Sequence, residues 1–165
     1  MFVLGIDPGV SRCGFGVLDA RAGSVTAITA GVFTTPPEME LPMRLQEIYR
    51  DLTALIDEYQ PEVMAIEQVF TNRNLNTAVA VGRASGVAML AAGQAGMGVF
   101  EISPSAVKLA VTGYGRADKQ QIRYAIMQQL KLKVLDAPAD AADALALALS
   151  YVRSHRPNIP SGASS

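Results

Sequence analysis

The residues Phe2-Val-Leu-Gly-Ile-Asp-Pro-Gly-Val-Ser-Arg-Cys-Gly-Phe-Gly-Val-Leu-Asp19 decide the fold. The apolar run from Phe2 to Ile6 has the length of a buried strand, and a single acid, Asp7, follows it. Pro8-Gly9 is a turn signal, and a second apolar run with interleaved glycines, Gly14 to Leu18, comes after the turn. We therefore predict a β-hairpin whose first strand ends in a carboxylate. Burying that acid is costly unless a cation or a metal ion lies beside it.

The composition is that of one globular domain. The chain has 165 residues, of which half are hydrophobic and 18% are charged, so it can bury a sizeable core and is not a disordered polymer. From His155 onward the sequence is rich in proline, serine and glycine, which is typical of disorder. We expect a folded domain over residues 1–154 and a disordered tail over 155–165.

The cysteine count and the apolar runs indicate a cytoplasmic protein. A single cysteine, Cys13, can form no internal disulfide, and no signal peptide precedes Phe2. We interpret Cys13 as a small strand residue and not as a catalytic thiol, because the only histidine lies near the tail. The longest charge-free apolar stretch, residues 84–100, is short for a membrane span and is interrupted by four glycines, so we expect no membrane segment.

The remaining elements follow from hydrophobic period, turn signals and capping residues. We predict strands over 24–34, 63–67 and 98–102. The predicted helices cover 45–59, 75–92, 104–113 and 140–153, and a further helix begins at 119. The order β-β-β-α-β-α-β-α-α-α predicts an α/β fold with a five-stranded mixed sheet. Its first half is an antiparallel hairpin arrangement, its second half is parallel, and helices flank it.

The helix predicted over 75–92 has an unusual middle made of small residues. Gly82 and Gly86 lie one turn apart, and a glycine inside a helix costs about 1 kcal/mol relative to alanine. Two explanations remain open at this stage. The glycines allow tight packing on the chain's own sheet, or they form a subunit interface.

Four acids lie in apolar surroundings although charged residues are scarce. Asp7 and Glu67 each end an apolar strand, whereas Asp140 and Asp143 belong to an alanine- and leucine-rich helix. The spacing i, i+3 puts these last two on one helical face, where like charges raise each other's pKa unless a cation separates them. Helix N-capping is an alternative role that suits Asp140 and suits Asp143 poorly.

These acids predict a metal site made of oxygen ligands. Without histidine or cysteine, the donor set favours Mg²⁺ or Mn²⁺ over zinc. Four carboxylates are enough for two ions, roughly 3.5–4 Å apart, that would activate a water and stabilise the leaving oxygen of a phosphodiester. The interpretation explains why acids occur at these positions, which core packing does not.

The charge balance is compatible with a nucleic-acid substrate. Net charge is −1, but without the four site acids 14 basic and 11 acidic residues remain, which gives +3. Lys108 and Lys119 are placed where they can reach the acidic end of the sheet, so we expect them to contact phosphate. Most charged residues are expected to be solvated. The basic residues considered for contact with a phosphate backbone are Arg73, Arg83, Lys108, Arg116, Lys119, Arg123, Lys131 and Lys133.

Five segments together resemble the RuvC family of crossover junction endodeoxyribonucleases, the Holliday junction resolvases. They are Gly5-Ile-Asp-Pro-Gly9, Ala65-Ile-Glu-Gln-Val-Phe70, Ser105-Ala-Val-Lys108, Ala117-Asp-Lys119 and Asp140-Ala-Ala-Asp-Ala-Leu-Ala146. They occur in the family's order and spacing, and the resemblance covers about residues 1–153. One such motif would be weak, but five in register are highly specific.

The resemblance implies a ribonuclease H-like fold and a homodimer that resolves four-way DNA junctions by paired symmetric cuts in recombination and repair. It implies Asp7, Glu67, Asp140 and Asp143 as catalytic ligands of Mg²⁺, with Lys108 and Lys119 at the scissile phosphate. It also implies stacking of Phe70 on an opened base, and partnership with the RuvA–RuvB branch-migration complex. We expect the DNA-binding residues to be Phe70, Lys108 and Lys119 together with Arg73 and Arg116. The family's dimer interface includes the helix with the small residues.

Three other functions are compatible with parts of the sequence. The related pre-ribosomal-RNA nucleases share the fold and a similar first strand. Actin-like ATPases also begin with an apolar strand, an acid and a glycine turn, but they need two lobes to enclose ATP. A junction-binding protein without catalysis would not need all four acids.

Overall fold

The computed structural model describes residues 1–21, 24–69 and 74–155. Five strands and five helices follow one another in the predicted order. Their bounds are β1 Phe2–Asp7, β2 Arg12–Arg21, β3 Ser24–Thr34, α1 Leu41–Tyr59, β4 Val63–Glu67, α2 Leu75–Gln94, β5 Gly98–Ile102, α3 Pro104–Thr112, α4 Lys119–Gln129 and α5 Ala139–Ser154.

The five strands form one sheet in the order β3-β2-β1-β4-β5, and its antiparallel and parallel halves confirm the predicted mixed sheet. β1 and β2 pair antiparallel, as do β2 and β3, whereas β1 with β4 and β4 with β5 are parallel. Ile6 is level with Ile66 in the parallel pair. The next residue of each strand is an acid, so Asp7 and Glu67 lie at the same edge of the sheet.

Helices cover both faces of the sheet, as parallel strands require. Alternate residues of β1 point to opposite faces: Leu4 and Ile6 pack with α1 and α2, while Val3 packs with α3, α4 and α5. The same alternation in β4 sends Ala65 toward α5. Asp7 continues the row of β1 that contains Val3, and Glu67 continues the row of β4 that contains Ala65. Both acids therefore belong to the face that α5 covers.

Two element boundaries differ from the prediction. β2 runs from Arg12 to Arg21, well beyond the predicted run of residues 14–18, because its polar ends pair with β3 along the whole strand. α1 begins at Leu41, in a stretch that its prolines assign to a loop. Pro42 occupies the first turn of that helix, where proline needs no amide hydrogen bond.

α5 lies directly against the hairpin because glycines leave room for its backbone. A β-carbon built on Gly5 would lie 1.9 Å from the carbonyl oxygen of Ala144, and one on Gly14 would lie 2.1 Å from that of Asp140. No side chain fits at those distances. The glycines of β1 and β2 therefore fix the depth at which α5 packs, and with it the position of the first turn of α5.

The glycines in the middle of α2 have a different environment. A β-carbon on Gly82 or Gly86 would meet no atom within 4 Å, so the explanation that they pack tightly on the chain's own sheet is wrong. They lie with Leu75, Val79 and Leu90 on one exposed side of the helix, which we call the open stripe.

α2 is also the one helix of the described residues that is long and apolar enough to cross a bilayer. Its other side carries Ala84, Ala88 and Ala92, which are buried, and it packs against α1. Arg83 lies in its middle. This arrangement suits a helix that packs in a protein layer and leaves one apolar side free for a second contact.

We predict that Gly5→Ala lowers the free energy of unfolding by about 1–3 kcal/mol, because the new methyl group pushes α5 away from β1. Urea denaturation followed by circular dichroism measures this effect. Gly115→Ala is the matched control, since the nearest atom to its added carbon is 4.0 Å away, and it should change stability by less than about 0.5 kcal/mol. Equal stability of the two variants would show that α5 does not need this contact.

Candidate active site

Six of the predicted site residues come together in one cavity. It lies at the carboxyl end of β1 and β4 and has a volume of about 600 Å³. All the predicted acids and lysines are among the residues that line it: Asp7, Glu67, Lys108, Lys119, Asp140 and Asp143. Residues from the sheet and from three helices therefore meet at a single place.

The two aspartates of α5 reach the cavity from the first two turns of that helix. They are three residues apart and line the same side, as the helical spacing predicts. The N-cap position belongs to Pro138, and no side chain caps the helix. The capping alternative for Asp140 is therefore wrong. Its carboxylate accepts a hydrogen bond from Arg12 instead.

The lysines are placed by two well-capped helices. Ser103 caps α3, its Oγ accepting a hydrogen bond from the amide of Ala106, and Pro104 follows in the first turn. Asp118 and Gln121 form a capping box that starts α4 at Lys119. Both helix starts agree with the prediction from the sequence. They bring Lys108 to the cavity wall and Lys119 to its rim.

Both α5 aspartates face a cation. The Nζ atom of Lys119 lies 3.5 Å from Oδ2 of Asp143. The Nε atom of Arg12 donates a hydrogen bond of 2.6 Å to Oδ2 of Asp140. Sequence reasoning did not single out Arg12, although it belongs to the stretch Phe2 to Asp19 that decides the fold. Arg12 begins the second strand of the hairpin, at the sheet edge where Asp7 ends the first strand, and that was the available signal.

The cavity brings several acids together, and Asp7 is the one whose pKa they shift. Burial raises the pKa of this carboxyl to about 7, and the neighbouring carboxylates of Glu67, Asp143 and Asp140 add to the rise, while Lys119 opposes it.

Cys13, by contrast, is buried in the sheet and its pKa is raised to about 12 by that burial. This confirms that Cys13 is a strand residue and not an activated nucleophile.

The donor chemistry of the cavity fits a hard divalent cation. Four carboxylates supply only oxygen ligands, and burial together with the neighbouring carboxylates raises the pKa of Asp7, an effect that such a cation would oppose. Among residues 1–21, 24–69 and 74–155, however, no three acidic, histidine or cysteine side chains are grouped closely enough to hold an ion. The α5 carboxylates are engaged with Arg12 and Lys119 instead.

One further predicted DNA contact among the described residues, Arg116, lies outside the cavity. Its side chain is exposed. Phe70 and Arg73 fall outside the described residues. Arg123, expected among the solvated bases, has a structural role, because its guanidinium donates hydrogen bonds to the carbonyl oxygens of Leu135 and Ala137. It thereby anchors the linker between α4 and α5.

Comparison with known proteins gives a consistent result. The family model described as crossover junction endodeoxyribonuclease RuvC matches residues 3–151. The RuvC of Syntrophomonas wolfei is 46% identical over 156 residues, which cover 94% of this chain and 91% of that protein. The RuvC of Salinispora arenicola is 48% identical over 153 residues, covering 92% of this chain and 87% of that protein.

A solved structure of Thermus thermophilus RuvC in complex with a Holliday junction substrate superimposes with a TM-score of 0.87. It is 33% identical in sequence, and the match covers 93% of this chain and 96% of that one. The likeness therefore includes both halves of the sheet and the helices that build the cavity.

We predict that removing the charge of Asp7 stabilises the metal-free protein at high pH. The pKa of this carboxyl is raised in the folded state, so the folded state holds a proton that the unfolded state loses, and stability falls as pH rises from about 4 through 7. In EDTA at pH 8, Asp7→Asn should therefore be about 1–3 kcal/mol more stable than the wild type by urea denaturation.

At pH 4 the difference between Asp7→Asn and the wild type should nearly vanish. Asp57→Asn, which removes an exposed carboxylate of α1, is the control and should show no such pH dependence. If the advantage of Asp7→Asn were the same at both pH values, the raised pKa of Asp7 would be refuted.

Proposed function

This chain belongs to the RuvC family of crossover junction endodeoxyribonucleases, and from that premise we propose that the cavity is where it cuts DNA strands at Holliday junctions. The enzyme is a nuclease that hydrolyses phosphodiester bonds and resolves these junctions. One observation carries the assignment of the site. Four carboxylates and two lysines from separate parts of a RuvC-family chain line a single cavity.

The carboxylates would hold divalent cations. Nucleases of this family depend on divalent metal ions, and we propose two Mg²⁺ ions per subunit, for which Mn²⁺ can substitute, because the ligands are all oxygens and number four. When bound, such ions supply activation of a water nucleophile and stabilisation of the charge that develops on the phosphate. Asp7, Glu67, Asp140 and Asp143 would be their ligands.

The lysines would act on the phosphate itself. Lys108 lines the cavity wall, where its ammonium group can neutralise charge on the scissile phosphodiester. Lys119 is largely exposed and lies beside Asp143, so it can turn from that carboxylate to an arriving phosphate oxygen. Both groups would orient the DNA strand in line with the carboxylates. Phe70, Arg73 and Arg116 complete the proposed DNA contacts.

A homodimer would provide the two active sites that paired cuts require. The open stripe of α2 supports this proposal, because Leu75 and Leu90 are 73% and 56% exposed and the glycines between them have free space. Small residues at helical spacing let a second backbone approach closely. The partners we propose are therefore a second copy of the chain, junction DNA, and the RuvA–RuvB complex, all within the cytoplasm.

We predict that Asp7→Asn binds a four-way junction normally and cleaves it at least about 100-fold more slowly, because it loses a metal ligand and keeps the fold. The assay incubates the protein with a synthetic mobile junction and a linear duplex of the same sequence, in Mg²⁺, Mn²⁺ or EDTA. Binding is followed by gel shift and cutting on a denaturing gel.

The control for this experiment is Asp57→Asn, which should cut the junction at the wild-type rate. The wild type should make paired nicks in the junction alone and only with metal. Cleavage by Asp7→Asn at the normal rate would refute the assignment of the cavity. Tight junction binding by the wild type without cutting in either metal would instead point to a binding protein.

We further predict that the double substitution Gly82→Leu with Gly86→Leu yields monomers that bind junctions weakly and lose paired nicking. Leucine favours the helix more than glycine does, so the monomer itself should stay folded by circular dichroism. Sedimentation velocity measures the oligomeric state. Thr77→Leu, which is exposed on the opposite side of α2, should leave the dimer intact; a full dimer in both variants would place the interface elsewhere.

A further inference from the structure

Arg12 differs from the half-buried arginines Arg44 and Arg123 in how it is held. Its side chain is 52% exposed, and Asp140 is the one acceptor of its side-chain hydrogen bonds among the residues that the structure describes. Arg123 holds two carbonyl oxygens of a linker, and Arg44 holds the hydroxyls of Thr35 and Ser11. Arg12 is therefore tethered to a site carboxylate alone.

The contact with Asp140 is short and single. Nε of Arg12 lies 2.6 Å from Oδ2 of Asp140, without a second, parallel hydrogen bond to the other oxygen. A guanidinium that fixes a carboxylate for structural reasons is usually bidentate and enclosed. This one is neither, so little besides the charge of Asp140 keeps it in place.

The carboxylate that Arg12 engages is one that the proposed function assigns to metal binding. No three carboxylates among the described residues converge on a common point, and the two acids of α5 each face a cation instead. Lys119 comes from the helical layer, whereas Arg12 comes from the sheet. Each neutralises part of the charge that would otherwise accumulate in the cavity.

We propose that Arg12 is an internal counter-ion of Asp140 that a divalent cation has to displace, and that it thereby lowers the metal affinity of the site. This inference rests on the proposed function of the cavity. Arg12 acts through Asp140 and touches neither metal nor substrate, so it is a positioning residue. A divalent ion approaching Asp140 is repelled by the guanidinium and must also break its hydrogen bond to that acid.

The experiment is a titration of the metal-free protein with MnCl₂, in which electron paramagnetic resonance measures free Mn²⁺. We expect Arg12→Gln to bind Mn²⁺ about three- to tenfold more tightly than the wild type, because one positive charge near the site is removed. Arg12→Lys keeps that charge and should stay within about twofold of the wild type.

The matched control is Arg21→Gln. Arg21 belongs to the same strand and likewise donates through Nε to an aspartate, Asp19, at the far end from the cavity. Its removal should not change Mn²⁺ affinity. In an Asp140→Asn background, Arg12→Gln should lose most of its effect, because the pair it disrupts no longer exists.

Weaker or unchanged Mn²⁺ binding by Arg12→Gln would overturn the inference, since a residue that presents Asp140 to the ion would weaken binding when lost. The proposed function is tested separately by the wild type and Asp7→Asn in the same titration. If the wild type bound no Mn²⁺, or Asp7→Asn bound it equally well, the metal site itself would be refuted and the inference would fall with it.

Discussion

The backbone of α5 rests on glycines of β1 and β2, and the arrangement of the cavity depends on that contact. The carbonyl oxygens of Ala144 and Asp140 occupy the space in which β-carbons of Gly5 and Gly14 would lie. Asp7 belongs to the row of β1 that contains Gly5. A helix seated further from the sheet would move its first turn, and both of its acids, away from Asp7. These glycines are thus determinants of the site although they carry no functional group.

The second determinant is electrostatic. Strand ends and a helix start bring four carboxylates together, and burial and then repulsion among these acids raise the pKa of Asp7. The domain offsets this repulsion with cations from elements outside the acidic set: Lys119 from α4 and Arg12 from β2. The first turn of α5 contributes further, because the positive end of its dipole faces its own aspartates.

Sequence reasoning succeeded where the signal is local. β3, β4 and β5 have the predicted bounds, and the caps at Ser103 and Asp118 start their helices as predicted. Apolar runs, capping residues and turn residues act within a few positions of where they occur, so they are legible in one chain. The four acids were also identified, because scarce charges in apolar surroundings have few structural explanations.

It failed where a residue's role is set by a distant element. Nothing next to Gly5 or Gly14 indicates that a helix more than 120 residues later will lie on them. The partner of Arg12 is equally remote, 128 positions away.

The glycines of α2 illustrate the same limit in the opposite direction. Their pattern suited either tight internal packing or an interface, and only the empty space beside Gly82 and Gly86 distinguishes the two.

At the proposed metal site, the counter-ions impose a compromise on the enzyme. A cation that lies beside Asp140 or Asp143 stabilises the metal-free fold by reducing repulsion among the acids. Because the cation favours the metal-free state of the site over the metal-bound state, linkage requires that it lower the affinity for metal by an equal free energy. A site with no such partners would bind metal more tightly and would fold less stably without it. Arg12 is exposed and makes a single hydrogen bond, and Lys119 approaches only to 3.5 Å, so both effects are small. The two cations therefore neutralise the carboxylates in part and remain displaceable.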